Sequence, residues 1–455
     1  MIPNLYLALS VVGAAFTWNA FRPVFRPAPL ATLSFFAGWL TSELPLHHVV
    51  WQLVVTLGFA VAGALRAPAG WAGLAISTFS WLGLVRLSLR AREAEVVMER
   101  ALREGLGDDY RARVLADQYP RLAPSLSRAQ LFFPFFPRSA GVRVDKDVVY
   151  HQAGKLRLRL DVYRPAERPR RAPVLLFVHG GAWVLGKKDH HGLYLMTYLA
   201  AQGWVCFGVD YRLSPRATFP DHLVDVKRAI AWVKEHAEEY GADPDFVVIS
   251  GGSAGGHLCS LAALTARDRS FQPGFEDADT SVSACVSLYG IYDLEDRARV
   301  WPHRGLRMIL EDYVMKKRLD EDPEAFARAS PIRRIEPDSP PFLVIHGDLD
   351  TMVPVDEGRR FAEAYRAVAE APLCYAEIPG AQHAFEVFPS LRSALVFQGI
   401  ARFGAWVHSA YLEQQRAPRL SSPRTIDIAA GEAEEPGDGE ALSPAGTAAR
   451  SSAAR

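Results

Sequence analysis

Four apolar runs open the chain. Residues 5–21, 29–46, 49–65 and 71 to about 89 are each close to the roughly 20 residues a membrane-crossing helix needs. They are separated by Arg22 and Arg26, by a turn at residues 45–48 and by the segment 66–70. Helices buried in a water-soluble bundle keep a polar face, and these runs have almost none, so the pattern predicts three or four membrane-embedded helices over residues 1–90. A cleaved leader is the competing reading of the first run, but no basic stretch precedes it and more apolar runs follow. From 91 to 119 the Glu and Arg neighbours at helical spacing predict a solvated or juxtamembrane helix, with a linker continuing to residue 141. The segment LFFPFFP, 131–137, is too broken by proline for a helix and is expected at the lipid surface or over the domain behind it.

Between 142 and 413 short apolar runs alternate with helical patterns, the signature of an α/β fold with a largely parallel sheet. Strands are expected at Val174 to Val178, Val205 to Val209, Phe246 to Ile249, Ala284 to Leu288, Phe342 to Ile345 and Cys374 to Ile378. Helices are expected near 221–240, 254–266, 356–370 and 391–409. Residues 142–163 alternate around Gly154 as a leading hairpin does. The stretch 292–340 is helical in composition and is a candidate cap insertion. Residues 414–455, rich in Ala, Ser, Pro, Gly and Glu, have too few large apolar side chains to offset the entropy of ordering and are expected to be a disordered tail.

Composition adds an asymmetry. Of the 455 residues, 51 are basic and 51 acidic, a balance that argues against a nucleic-acid partner. Yet residues 1–90 carry only Arg22, Arg26, Glu43, Arg66, Arg86 and Arg90 as charges. In a four-span bundle these arginines fall on both sides of the membrane; if the last run lies in the interface, all fall on one side, which places the catalytic domain in the cytoplasm. The expected location is thus a membrane, with lipid as a partner. The four cysteines are far apart, with no pair at metal-ligand spacing, so buried thiols are expected and neither a disulfide framework nor a metal site.

The candidate chemistry begins at FVVISGGSAGGHL, 246–258, where Ser253 stands in G-x-S-x-G directly after a strand and directly before a helix. Small residues on both sides let the backbone bend sharply and lift a hydroxyl clear of the sheet. A serine hydroxyl needs a base and a carboxylate to hold that base in one tautomer. After Ser253 the chain presents Asp348 and Asp350 in the loop behind one strand, then His383 behind the next. Asp350, immediately before a T-M-V-P turn, is the expected acid, Asp348 a tie within its loop, and His383 the base. His179, His257 and His346 read as structural. FVHGGAW, 177–183, runs a strand into His-Gly-Gly, and the amides of Gly180, Gly181 and Ala254 form the expected oxyanion hole, each donor worth roughly 2.7–4 kcal/mol in a transition state. Trp183 is expected to line the substrate pocket or to pack under this loop.

Together, residues 179–183 (HGGAW), 210–215 (DYRLSP), 251–256 (GGSAGG), 346–350 (HGDLD) and His383 resemble the hormone-sensitive-lipase-like family of carboxylesterases, and among these its membrane-associated bacterial and mycobacterial members. The resemblance spans about 142–410. It implies an α/β-hydrolase fold, with Ser253 as nucleophile, Asp350 as acid, His383 as base and Gly180, Gly181 and Ala254 as oxyanion donors. It implies no cofactor, and DYRLSP as a structural run. Two departures stand out: Gly252 occupies a position where many relatives carry an acid, and apolar segments replace a soluble N-terminal cap. The expected activity is hydrolysis of a small-molecule or lipid ester through an acyl-enzyme. An amidase or acyltransferase using the same triad, or a ligand-binding relative without catalysis, are the alternatives.

Overall fold

The computed structural model describes residues 1–116, 132–134 and 141–421. Most of LFFPFFP and the tail beyond 421, for which disorder is expected, lie outside the described residues.

Strands β1 (Val142–Ala153), β2 (Leu156–Pro165), β3 (Ala172–Val178), β4 (Val205–Val209), β5 (Ala242–Gly252), β6 (Ala284–Leu288), β7 (Phe342–Gly347) and β8 (Leu373–Ile378) form one sheet. Its order is β1-β2-β4-β3-β5-β6-β7-β8. The β1–β2 hairpin is antiparallel, β2 joins β4 antiparallel, and β4 through β8 are parallel. The central strands are apolar on both faces because helices cover both. On β3, Val174, Leu176 and Val178 pack with Leu223, Leu258 and Phe361 on one side. Leu175 and Phe177 point the other way, toward Leu195, Val396 and Phe403.

Among the described residues, seven α-helices accompany the sheet. They follow the five that open the chain: α1 (Ile2–Phe21), α2 (Ala28–Glu43), α3 (Pro45–Val61), α4 (Pro68–Arg90) and α5 (Glu93–Leu106). Among the larger ones, α6 (Leu193–Ala201) and α12 (Leu391–Ser421) flank one face of the sheet, and α7 (Asp221–His236), α8 (Ala254–Leu264) and α11 (Asp356–Val368) the other. The short α9 (Gly305–Ile309) and α10 (Pro323–Ala329) lie within 292–340. That segment sends Trp301, Leu310, Val314 and Phe326 into the core beside α8.

Each of the four apolar runs becomes a helix, but fewer can span a membrane than the run lengths suggest. By length and composition one can, within Pro68–Leu106, and a second only if α2 and α3, bent by 93°, form one broken span. The break falls at Leu44 and Pro45, where proline cannot continue the preceding hydrogen-bond ladder.

The helix at 93–106 corrects the solvated reading. Ala94, Met98, Ala101, Leu102 and Leu106 form a buried stripe at spacings of three and four, packed in the core with Cys374 and Ala376 of β8. A Cβ on Gly105 would stand 2.8 Å from the carbonyl oxygen of Leu373, so the helix lies directly against the strand. Because of this packing, residues 1–413 form one compact unit and the first ninety do not separate from the sheet. The second unit, Gln414–Arg455, contributes only the end of α12 to the described residues. All four cysteines are buried and free.

Candidate active site

Ser253 stands between the last residue of β5 and the first of α8, with φ 58°. A non-glycine residue in that region costs of order 1–3 kcal/mol and persists only where its surroundings hold it. Here its amide donates to the carbonyl of Leu288 at 3.0 Å and its carbonyl accepts from His257 at 2.9 Å. The flanking glycines are forced by space. A Cβ on Gly255 would meet the carbonyl oxygen of Val178 at 2.1 Å, and one on Gly251 that of Gly255 at 2.4 Å.

The loops after β7 and β8 bring the other two groups to it. His383 Nε2 lies 2.9 Å from Ser253 Oγ, and His383 Nδ1 lies 2.6 Å from Asp350 Oδ2. Asp350 is buried, and its second oxygen accepts the amides of Met352 and Val353, both at 2.8 Å, which is the work of the turn that follows it. Burial alone would raise this carboxyl, but the imidazoles of His383 and His346 outweigh it and hold Asp350 well below the ordinary carboxylate range. It is therefore an anion throughout the neutral range. It can fix His383 with a proton on Nδ1 and a free lone pair on Nε2 facing the serine.

Asp348 does not join this set. Its oxygens accept from the Gly380 amide at 2.6 Å and from Arg90 of α4 at 2.9 Å, tying the two loops to each other and to the N-terminal helices. Gln382 adds a second tie, accepting from the amides of Thr351 at 2.8 Å and His383 at 3.0 Å.

The His-Gly-Gly loop closes the site from β3. A Cβ on Gly180 would stand 3.1 Å from Ser253 Cβ, which puts the loop against the serine. Gly181 has φ 119° and a Cβ there would meet the carbonyl oxygen of Leu185 at 2.0 Å, so only glycine fits. Ala254 is the first residue of α8, where an amide has no partner in its own helix and the dipole is positive.

Trp183 is only 1% exposed; its indole N–H donates to His257 Nδ1 at 3.2 Å, and His257 Nε2 donates to the Ala329 carbonyl at 2.7 Å. This is the placement of a residue that packs under the loop, not of one that lines the pocket. His179 donates from Nδ1 to the Gly180 carbonyl at 2.7 Å and stacks on Tyr211. Burial pushes His179 and His257 down to about 4, leaving both neutral. The DYRLSP run braces the loop: Tyr211 donates to the His179 carbonyl at 3.1 Å and the Ser214 amide to that of Trp183 at 2.9 Å.

Three residues near the site were not singled out from the sequence. Tyr289, just past β6, packs on the His383 ring with centroids 4.7 Å apart. A Cβ on Gly252 would stand 2.5 Å from its hydroxyl oxygen, so Tyr289 fills the space that a side chain before the serine would need. Phe35 and Trp39 come from α2; the Phe35 ring stands edge-on to His383 at 6.2 Å, and the Trp39 indole donates to the Ala384 carbonyl at 2.8 Å. Tyr289 shares with Ser253 and His383 a place at the carboxyl end of a strand, and that position was its one available clue.

The protein-family comparison matches residues 160–365 to the BD-FAE family. The chain is 40% identical over 429 residues to the probable carboxylic ester hydrolase LipM of Mycobacterium tuberculosis, covering 92% of this chain and 96% of LipM. It belongs to the hormone-sensitive-lipase-like family of carboxylic ester hydrolases. The esterase LipQ of the same organism is 37% identical over 414 residues, 90% of this chain and 92% of its own. A truncated carbohydrate esterase from gut microbiota superposes with a TM-score of 0.52 at 23% identity, over 60% of this chain and 99% of that one, a likeness of fold alone. The likeness to LipM and LipQ extends beyond the sheet into the N-terminal helices, since 92% and 90% of the chain cannot be covered without them. The hydrolase family's fold is the one observed, a mostly parallel sheet with the serine at its carboxyl edge.

Proposed function

We propose that the chain is a membrane-anchored serine carboxylesterase. Ser253 attacks an ester carbonyl while His383 takes the hydroxyl proton at Nε2; the negative charge that develops on the carbonyl oxygen is held by the amides of Gly180, Gly181 and Ala254. His383 then returns the proton to the departing alcohol, leaving an acyl-enzyme. Water, activated by the same imidazole, releases the acid and restores the serine. Asp350 stays ionised throughout and holds the imidazole upright. The observation that carries this reading is the continuous contact from Ser253 to His383 to Asp350, at 2.9 and 2.6 Å, beside a glycine loop.

The anchoring half rests on the distribution of apolar surface. Along α1, α3 and α4, hydroxyls meet one another inside: that of Tyr6 lies within hydrogen-bond reach of Thr56 and Ser77, Ser77 donates to Ser10, and Thr17 pairs with Ser80 at 2.8 Å. Outside stand Leu33, Phe36, Trp51, Leu57, Phe79 and Leu82, each more than half exposed. Hydroxyls inside and large apolar groups outside suit lipid as solvent. A lipophilic ester is the substrate class such a location supplies.

The purified Ser253→Ala protein should lose on the order of 10⁶ in kcat on short p-nitrophenyl esters. Near wild-type turnover would exclude the mechanism.

A further inference from the structure

Helix α2 meets the hydrolase fold once per turn along a single face. Ala28 lies beside Gly305, where a Cβ would stand 3.6 Å from that of Ala28. The Ala31 carbonyl accepts from Thr351 Oγ1 at 3.5 Å, in the loop that carries Asp350. One turn on, Phe35 is 8% exposed and faces the His383 ring. Trp39 stacks on Phe35 at 5.2 Å and packs on Phe388 at 4.7 Å, while its indole donates to Ala384. At the end of the helix Glu43 forms a fully buried ion pair with Arg392 and accepts from Ser390 Oγ at 2.8 Å. Positions 28, 31, 35, 39 and 43 recur at three and four, which places them on one helix face.

The target of this face is the segment that holds the imidazole. Ala384, the residue after His383, has φ 56° without being glycine, a conformation that lasts only where neighbouring groups hold it. Its carbonyl receives the Trp39 indole, a donor 345 positions away in the chain. A helix serving only as an anchor has no need of this contact.

We propose that Trp39 and Phe35 are positioning residues for His383: α2 clamps the segment after the imidazole, so that Nε2 faces Ser253 only while the N-terminal helices are docked. This rests on the reading of Ser253 as nucleophile and His383 as base. Trp39 fixes the backbone at Ala384, and Phe35 limits the tilt of the ring.

The test uses the full chain in detergent with p-nitrophenyl acetate. Trp39→Phe keeps an aromatic ring against Phe35 and Phe388 and deletes the donor. Its kcat should fall by about 10–100-fold, the scale of a small misplacement of a reacting group, with KM changed less than about twofold. Fluorophosphonate labelling of Ser253 should slow in parallel. Glycine adopts the left-handed region without penalty, so Trp39→Phe combined with Ala384→Gly should recover most of the lost kcat. A Trp39→Phe kcat within about twofold of wild type, or a loss confined to KM, overturns the proposal. So does a kcat loss that Ala384→Gly leaves untouched while the unfolding temperature drops, because Trp39 would then serve folding alone. Ser253→Ala separates the two levels: activity surviving in it removes the nucleophile reading itself, whereas an inactive Ser253→Ala beside an unimpaired Trp39→Phe removes only the clamp.

Discussion

The first ninety residues and the sheet that follows solve burial in opposite ways. In the sheet, apolar side chains fill both faces, and the polar groups Ser253, His383 and Asp350 meet at its carboxyl edge. In helices α1 to α4, the hydroxyls of Tyr6, Ser10, Thr17, Thr56, Ser77 and Ser80 face inward, and Leu33, Phe36, Trp51, Leu57, Phe79 and Leu82 face outward. On the proposed membrane location, the hydrophobic effect that drives the sheet together would supply no force between helices α1 to α4. The difference teaches that polar contacts join the two regions beside the packing of Phe35 and Trp39 on His383 and Phe388. The polar joints include Glu43 with Arg392, Arg90 with Asp348, and the Trp39 indole with Ala384.

The largest effect expected on this comparison comes from breaking the buried joint. Arg392→Met leaves Glu43 enclosed with no cation beside it, and should cost about 3–5 kcal/mol, read as a fall in unfolding free energy in detergent. A value under about 1 kcal/mol would mean that the joint is open to water.

Next comes a paired substitution that asks which solvent each surface sees. Phe79→Arg, on the outer face of α4, should cost about 2.5–3.5 kcal/mol in lipid vesicles, whereas Val368→Arg at the end of α11 should stay within about 0.5 kcal/mol. Equal costs would erase the distinction between the two regions.

A smaller effect sharpens the polar side of the sheet domain. Glu386 is buried beside Tyr289 and His383, and burial pushes its carboxyl from 4.5 up to about 7. The folded chain therefore keeps a proton that the unfolded chain has released. The sign follows: stability is fully present below about pH 4.5 and is lost as pH rises toward 7. Glu386→Gln should flatten that decline by about 1–3 kcal/mol, measured as unfolding free energy across the range. Glu357, also pushed up to about 7 by burial, leaves a residual slope. Asp350, held low, acts only in stronger acid and does not mask it.

Legibility in the sequence followed the same division. The strands at 205–209 and 284–288 were readable to the residue because a fully buried parallel strand is a short apolar run between polar loops. Ser253, Asp350 and His383 were readable because each ends such a run, and the sheet brings those ends to one edge. Helix α6 escaped because LYLMTYLAA is nine residues with no polar face, which periodicity cannot tell from a strand. The stripe of α5 was hidden by the Glu and Arg residues around it, although Ala94, Met98, Ala101 and Leu102 carry the helical spacing. The inward face of α2 was not legible at all, since Phe35 and Trp39 sit in a run apolar on every side and nothing local marks which face meets protein. Trp183 could be placed in a pocket or beneath a loop, and only the distance to His257 distinguishes these.

The bond between Glu43 and Arg392 joins positions 349 apart. A ribosome making this chain releases α2 hundreds of residues before it adds the arginine, so the carboxyl must spend that interval without its cation. Assembly of the site is thereby deferred to the end of translation. A product interrupted ahead of α12 holds the serine, the aspartate and the imidazole in one polypeptide, yet lacks the arginine that pairs with Glu43 at the end of α2.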